Sequence, residues 1–458
     1  MSTRLLGTLT LLLLAAAGFA QAQPPLPIEL FQTIKAKQND LARYQYLATA
    51  IPKLSGYERS AATQLLAWTE DELGLYSEAV HDFPLVPRIP ARLSLPLSAE
   101  WEARDAVDAI ATLATHERLV MLNEAHHDAH TRQLTLALLP RLRELGFGYL
   151  AVEALGDKDP GLARRGYPTM DSGSQYLREP LYGEIIRTAL RLGFVVVPYD
   201  SDATDPSKRE AEQATNIYRK VFTTDPQARL FVHAGYAHID KAKGRLGDLE
   251  PMAMRLKALS GLEPLSIDQT QFRDIGSKNE LDAYHQLITR FQPKLPAVVS
   301  NRETGRIWSA SPRQYDVSVI LPEEYGRTET GLVPAWLTFG LEGIRVQRTG
   351  QAFPRPSWLT LGGRRQAVAV SATLCKVTRP CVVEARYSDE PNDAVAADRY
   401  AFVYTETQKS QLYLAPGHYR LSAWGADGSI LSEQAIEVPA SGTAAAASAS
   451  DRAVPAAR

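Results

Sequence analysis

Between about Ala99 and Leu321, short apolar runs alternate with longer amphipathic stretches. Leu119–Leu122 is one such run. From about His130 to Leu145 the apolar residues recur at three- and four-residue intervals, the spacing of one helix face. Gly146 stops that helix, and Tyr149–Val152 reads as the next strand. A helix over Leu181–Leu192 ends at Gly193 before the β-branched run Phe194–Pro198. Arg209–Phe222 is helical and Leu230–His233 extended, with Met252–Leu259 and Pro264–Ile267 one more helix–strand pair. This alternation, with short Gly-marked turns, predicts an α/β fold: a mostly parallel sheet with helices on both faces. Runs at Ala297–Ser300 and Val317–Leu321 extend its edge.

The flanks differ. Ile28–Ala48 and Tyr57–Val80 read as a helical hairpin broken at Pro52 and Gly56, followed by a Pro-rich linker, Phe83–Pro96. After Arg345 come short strand-like segments between turn residues, which predict a small antiparallel β-sandwich of immunoglobulin-like build. Arg4, the apolar run Leu5–Ala20 and Ala20-Gln21-Ala22 fit a cleaved signal peptide, so the expected location is periplasmic or secreted, with no membrane anchor after cleavage. The expected division is a signal peptide over 1–22, a helical segment and linker over 23–92, and the α/β domain over 93–345. The β-sandwich follows over 346–440, then an Ala/Ser-rich disordered tail over 441–458. Cys375 and Cys381 lie six positions apart and predict a disulfide, a metal site being the lesser reading because no His is near in sequence. A net charge of −2 with no basic stripe argues against a nucleic-acid partner. The β-sandwich could still dock a protein partner.

Functional groups of a parallel sheet collect at the carboxyl ends of its strands. Here successive strands end in Glu124 and His126, in Glu153, in Asp200, and in His233 with His238. The chain has nine histidines, and five fall in two windows, 126–130 and 233–238. Two imidazole-loaded strand ends imply one shared site. Glu124, His126, Glu153 and His238 are the candidate catalytic residues, and Asp200, Arg209 and Tyr236 the candidate substrate contacts. Against this, Asp200 is also suited to capping a turn. His127 and His130 read as surface residues opening a helix, and His233 as a hydrogen-bonded core histidine.

Asn123-Glu124-Ala125-His126 resembles the Gly-Glu-x-His motif of the erythromycin-esterase-like and ChaN-like superfamily, which includes TIKI-type metalloproteases. Glu153 at the second strand end, Arg209-Glu210 with Gln213-Ala214, and Gly235-Tyr236-Ala237-His238 agree with that likeness, which covers roughly 110–270. Asn123 stands where the family has Gly, and Gln213 where it has Met. The resemblance implies an exported hydrolase of an ester, lactone or amide small molecule. In its metal-free form His126 is a general base on water, oriented by Glu153 or Glu124, and His238 stabilises the oxyanion or protonates the leaving group. In its metal form Glu124, His126 and His238 hold a divalent ion, Zn or Mn. A haem- or iron-compound-binding protein without turnover is the alternative. No Gly-x-Ser-x-Gly elbow, cysteine near the histidines, or phosphate-binding Gly-rich loop is present.

Overall fold

A computed structural model describes residues 28–85, 87, 89, 93–276, 281–324, 354–403 and 410–440. The expected signal peptide and the C-terminal tail lie outside the described residues.

The helical N-terminal segment divides further than its pattern implied, into α1 (Ile28–Lys35), α2 (Asp40–Ala50), α3 (Gly56–Glu72) and α4 (Tyr76–Asp82). The Asn39 side chain accepts the Ala42 amide at 2.9 Å and so starts α2. Gly74, at φ 76, turns the chain between α3 and α4, where a Cβ would stand 2.7 Å from the Arg399 carbonyl oxygen. Next comes β1 (Trp101–Asp105), an edge strand the sequence pattern did not reveal, then α5 (Ala106–Ala114), β2 (Leu119–Glu124) and α6 (His130–Glu144). They are followed by β3 (Tyr149–Val152), the short α7 (Leu162–Arg165), a 3-10 turn at Gln175–Arg178, α8 (Pro180–Arg191) and β4 (Val195–Pro198). The alternation continues with α9 (Pro206–Ile217), β5 (Leu230–Gly235), α10 (Met252–Ser260), β6 (Leu265–Phe272), α11 (Ala283–Phe291), β7 (Ala297–Asn301) and β8 (Val317–Ile320).

These eight strands form one sheet in the order β1-β7-β8-β6-β2-β5-β3-β4. It is parallel from β8 to β4, and β7 runs against both of its neighbours. Chain direction across the sheet reverses at β2, because β5 inserts between β2 and β3 while β6 lies on the other side of β2. Such a switch point opens a crevice at the carboxyl ends of the strands. Strand alternation sorts the two faces. Val120, Leu122 and Phe231 join a core shared with α5, α6 and α8. Leu119, Met121, Leu230 and Val232 face α9 and α10. Helices therefore cover both faces, as the pattern predicted.

Beyond Pro354, β9 (Gln366–Ala369), β10 (Cys381–Tyr387), β11 (Asp398–Phe402), β12 (Gln411–Leu414), β13 (Gly417–Gly425) and β14 (Ile430–Val438) build two antiparallel sheets, ordered β11-β10-β13-β14 and β12-β9. Cys375 and Cys381 are disulfide-bonded. Among the described residues no helix is long and apolar enough to cross a membrane.

Candidate active site

The strand alternation that places Leu122 on the α6 face puts Glu124 there too, at the carboxyl end of β2. Its Oε1 accepts from His126 Nδ1 at 2.7 Å. Its Oε2 accepts from Arg132 Nε at 2.6 Å and from His233 Nε2 at 3.2 Å. Burial alone would raise the Glu124 carboxyl, but Arg132 and the two histidine hydrogen bonds outweigh it and hold the group well below its ordinary range. An ionised carboxylate only accepts, so His126 carries a proton on Nδ1, which makes Nε2 the acceptor nitrogen of the neutral tautomer. That Nε2 is buried and has no hydrogen-bond partner among the described residues. Tyr176 stacks on the His126 ring at 4.1 Å and 10°, and Tyr236 meets it edge-on at 5.2 Å. The Tyr176 hydroxyl is likewise buried and unpartnered among the described residues.

What lies beside Nε2 is a glycine. A Cβ on Gly235 would sit 2.5 Å from His126 Nε2 and 3.1 Å from Glu153 Oε2. The missing side chain lets the His126 ring and the Glu153 carboxylate lie directly against the Gly235 backbone.

Glu153 heads a second chain of charges. Its Oε2 accepts the Gly235 amide at 2.6 Å, and its Oε1 accepts from Arg209 at 2.9 Å, with His238 Nε2 at 3.5 Å. His238 Nδ1 pairs with Glu210 Oε1 at 2.6 Å, and Glu210 Oε2 accepts the Met252 amide at 2.6 Å. Burial favours neutral His238, but Glu210 first and Glu153 second raise its pKa to about 9, so the ring is an imidazolium at neutral pH. Glu153 is driven the other way: burial would raise it, and His238 and Arg209 bring it down to about 2. Asp200 accepts from Arg209 and from Gln213, both at 2.7 Å. Asp200 and Arg209, expected to touch substrate, are thus occupied with each other and with Glu153. Tyr236, the third expected contact, borders the site at φ 41, a conformation held by Asn123 Nδ2 on its carbonyl at 2.6 Å.

Asn123 itself is explained by the sheet. It points to the opposite face from Glu124, donates to Asp268 at 2.7 Å and accepts the Gln269 amide at 2.9 Å, tying β2 to β6. Two expectations are corrected. His127 and His130 are not surface residues; they are 1% exposed each. His127 lies 3.4 Å from the Phe83 ring, takes a hydrogen bond from Arg273 at 3.0 Å and meets the Tyr236 hydroxyl at 3.0 Å. His130 stacks on Trp358 at 5.1 Å, and burial lowers its pKa to about 3. His233 is the hydrogen-bonded interior histidine expected of it, held by Thr135 at 3.0 Å and by Glu124.

Several site residues escaped the sequence reading. Arg132 bridges Glu124 to Asp71 of α3 at 2.7 Å and to Glu179 at 3.1 Å. Burial raises the Asp71 carboxyl well above its ordinary range, and the Arg132 guanidinium opposes that rise. A signal was present: Arg132 and Thr135 continue the buried stripe of Leu139 and Leu142 along α6. Glu210 likewise shares the buried face of α9 with Ala214 and Ile217. Tyr176 had no such pattern, being delivered by a loop turn.

The metal reading asked Glu124, His126 and His238 to converge. Instead Glu124 and His126 bond to each other, while His238 sits between Glu153 and Glu210 with both ring nitrogens engaged. Among the described residues no group of three or more His, Cys, Asp or Glu side chains could hold a metal ion. As arranged, these donors do not fit one.

No family model and no curated protein matches the chain. Solved structures that align with part of the chain include the type III effector HopBA1, at 15% identity and TM-score 0.27 over 43% of this chain and 93% of that one. RRSP, a MARTX toxin effector domain from Vibrio vulnificus, aligns at 14% identity and TM-score 0.28 over 53% of this chain and 55% of its own. A bacterial protein toxin aligns at 17% identity and TM-score 0.27 over 35% of this chain and only 36% of the toxin. Likeness at this level says nothing of what the site does.

Proposed function

We propose that this chain is an exported hydrolase of the erythromycin-esterase-like and ChaN-like type, cleaving an ester, lactone or amide by water that His126 activates. The observation that carries the reading is His126 Nε2, buried and without a hydrogen-bond partner among the described residues, on a ring that Glu124 orients through Nδ1 and that lies against Gly235. Nε2 removes a proton from water as its oxygen adds to the acyl carbon. The His238 imidazolium, exchanging its long 3.5 Å Nε2 contact with Glu153 for the substrate, stabilises the resulting oxyanion and gives its proton to the leaving oxygen or nitrogen as the acyl bond breaks. Solvent then returns one proton to His238 and takes one from His126. Glu153, Arg209 and Glu210 hold His238 in place and in its charged form. His126, Glu153 and His238 are 3%, 5% and 2% exposed, with Tyr176 stacked on the His126 ring. The two C-terminal antiparallel sheets support the immunoglobulin-like reading of that region as the packing partner of the α/β fold.

The test is an ester, lactone and amide panel run in H₂¹⁸O with limiting substrate. A single labelled oxygen in the product acid, with no acylated protein, is expected. Absence of hydrolysis across the panel, together with a Soret shift on adding haem that His126→Ala abolishes, would establish the binding protein instead.

A further inference from the structure

Away from this site, a cavity of about 280 Å³ opens between the start of α2, Met170 and one face of the β10–β13–β14 sheet. It lies on the opposite side of that sheet from the sheet's own core, since Val383, Ala385, Leu421 and Ala423 point inward while Glu384, Arg386, Ser422 and Trp424 line the cavity. The floor is charged and balanced, with Asp40 and Glu384 against Arg386 and Arg399. Arg399 pairs with Asp40 at 2.5 Å and with Glu384 at 2.8 Å, and Arg386 pairs with Glu384 at 2.5 Å. Asp40, Glu384 and Arg399 are 3% exposed or less, so the floor is rigid and desolvated. The rim differs: Trp424 is half-buried, Ile430 is 55% exposed, and Asn39 and Asn392 bring side-chain amides.

We propose that this cavity binds a neutral carbohydrate. A charge-balanced floor gives no advantage to an anion or a cation. An adjacent guanidinium and carboxylate offer fixed donors and acceptors at the spacing of vicinal hydroxyls. Arg386 uses Nε on the Ala394 carbonyl and Nη2 on Glu384, which leaves its Nη1 hydrogens for a ligand. The Trp424 indole supplies an apolar plane for the C–H face of a sugar ring, and the Asn392 amide nitrogen, on the side chain whose oxygen accepts from Arg420 at 2.8 Å, suits one of its hydroxyls. At about 280 Å³ the volume lies just below the usual range of ligand pockets, which begins at about 300 Å³, and so suits a single sugar unit or the end of a chain.

The test is ligand-observed NMR and calorimetry on the full chain with N-acetylglucosamine, maltose and cellobiose, and with glucose 6-phosphate and glucosamine as charged counterparts. Saturable millimolar binding of at least one neutral sugar is expected, weakened about ten-fold or more by Trp424→Ala and unchanged by His126→Ala. Asn392→Ala, at an exposed rim position that folding tolerates, weakens it several-fold. Absence of saturable neutral-sugar binding overturns the proposal. So does preference for a charged sugar, or indifference to both Trp424→Ala and Asn392→Ala. Loss of binding in His126→Ala would move the ligand to the other site and overturn it equally.

Discussion

Gly235 matters for the atom it lacks. A methyl group there would stand 2.5 Å from His126 Nε2, so Gly235→Ala displaces the ring of the proposed base. The expected outcome is loss of hydrolysis with the fold retained, read by steady-state rates beside circular dichroism; full activity would show that the reaction happens elsewhere. Glu210 acts through His238. It is the largest favourable influence raising that imidazole to about 9. Catalysis that needs the imidazolium therefore falls off as pH rises through about 9, and Glu210→Gln moves that limb to lower pH. Stability follows the same sign: the charged form is favoured in the folded chain, so its contribution is complete below the ordinary histidine value of 6.5 and is lost as pH rises through about 9. An unmoved limb in a folded Glu210→Gln variant would remove His238 from the mechanism.

At the scale of elements, α6 and β2 are locked together by Arg132, whose partners Glu124, Asp71 and Glu179 come from β2, α3 and the start of α8. Removing one member of such a buried set strands the others. Arg132→Leu should destabilise the chain by about 3–5 kcal/mol, measured by chemical denaturation; a change near zero would mean that the carboxylates re-protonate or rearrange without cost. The sheet strands and helices of the α/β region were legible in sequence because buried strands and amphipathic helices carry periods of two and about 3.6 residues. Glu124, His126, Glu153 and His238 were legible because they end those strands. β1 was not legible: Trp101–Asp105 buries only one residue, leaving Glu102, Arg104 and Asp105 without an apolar rhythm. Asp71 and Tyr176 were hidden for a different reason, since both reach the site across long sequence separations that no local pattern encodes. His127 and His130 were misread because neighbours from afar, Phe83 and Trp358, cover them.

At the scale of the whole molecule, the site depends on parts of the chain that sequence texture separates. One core runs from Leu41 and Trp68 in the N-terminal helices through Leu122 in the central sheet to Val382 and Tyr413 in the C-terminal strands. Charged ties cross the same seams, with Arg187 on Glu390 at 2.5 Å and Arg399 on Asp40 at 2.5 Å. The N-terminal helices supply Asp71 to the Arg132 cluster, and the C-terminal region braces α8 through Arg187, which begins beside Glu179. In the proposed reaction His126, oriented by Glu124, is the base. The most direct measurement is kcat/KM for the best hydrolysed substrate in wild type, His126→Ala and Glu124→Gln. A loss of about 10²–10⁴-fold is expected for His126→Ala, and a smaller one, carried by kcat, for Glu124→Gln. A His126→Ala protein that is folded and hydrolyses at the wild-type rate would contradict that role.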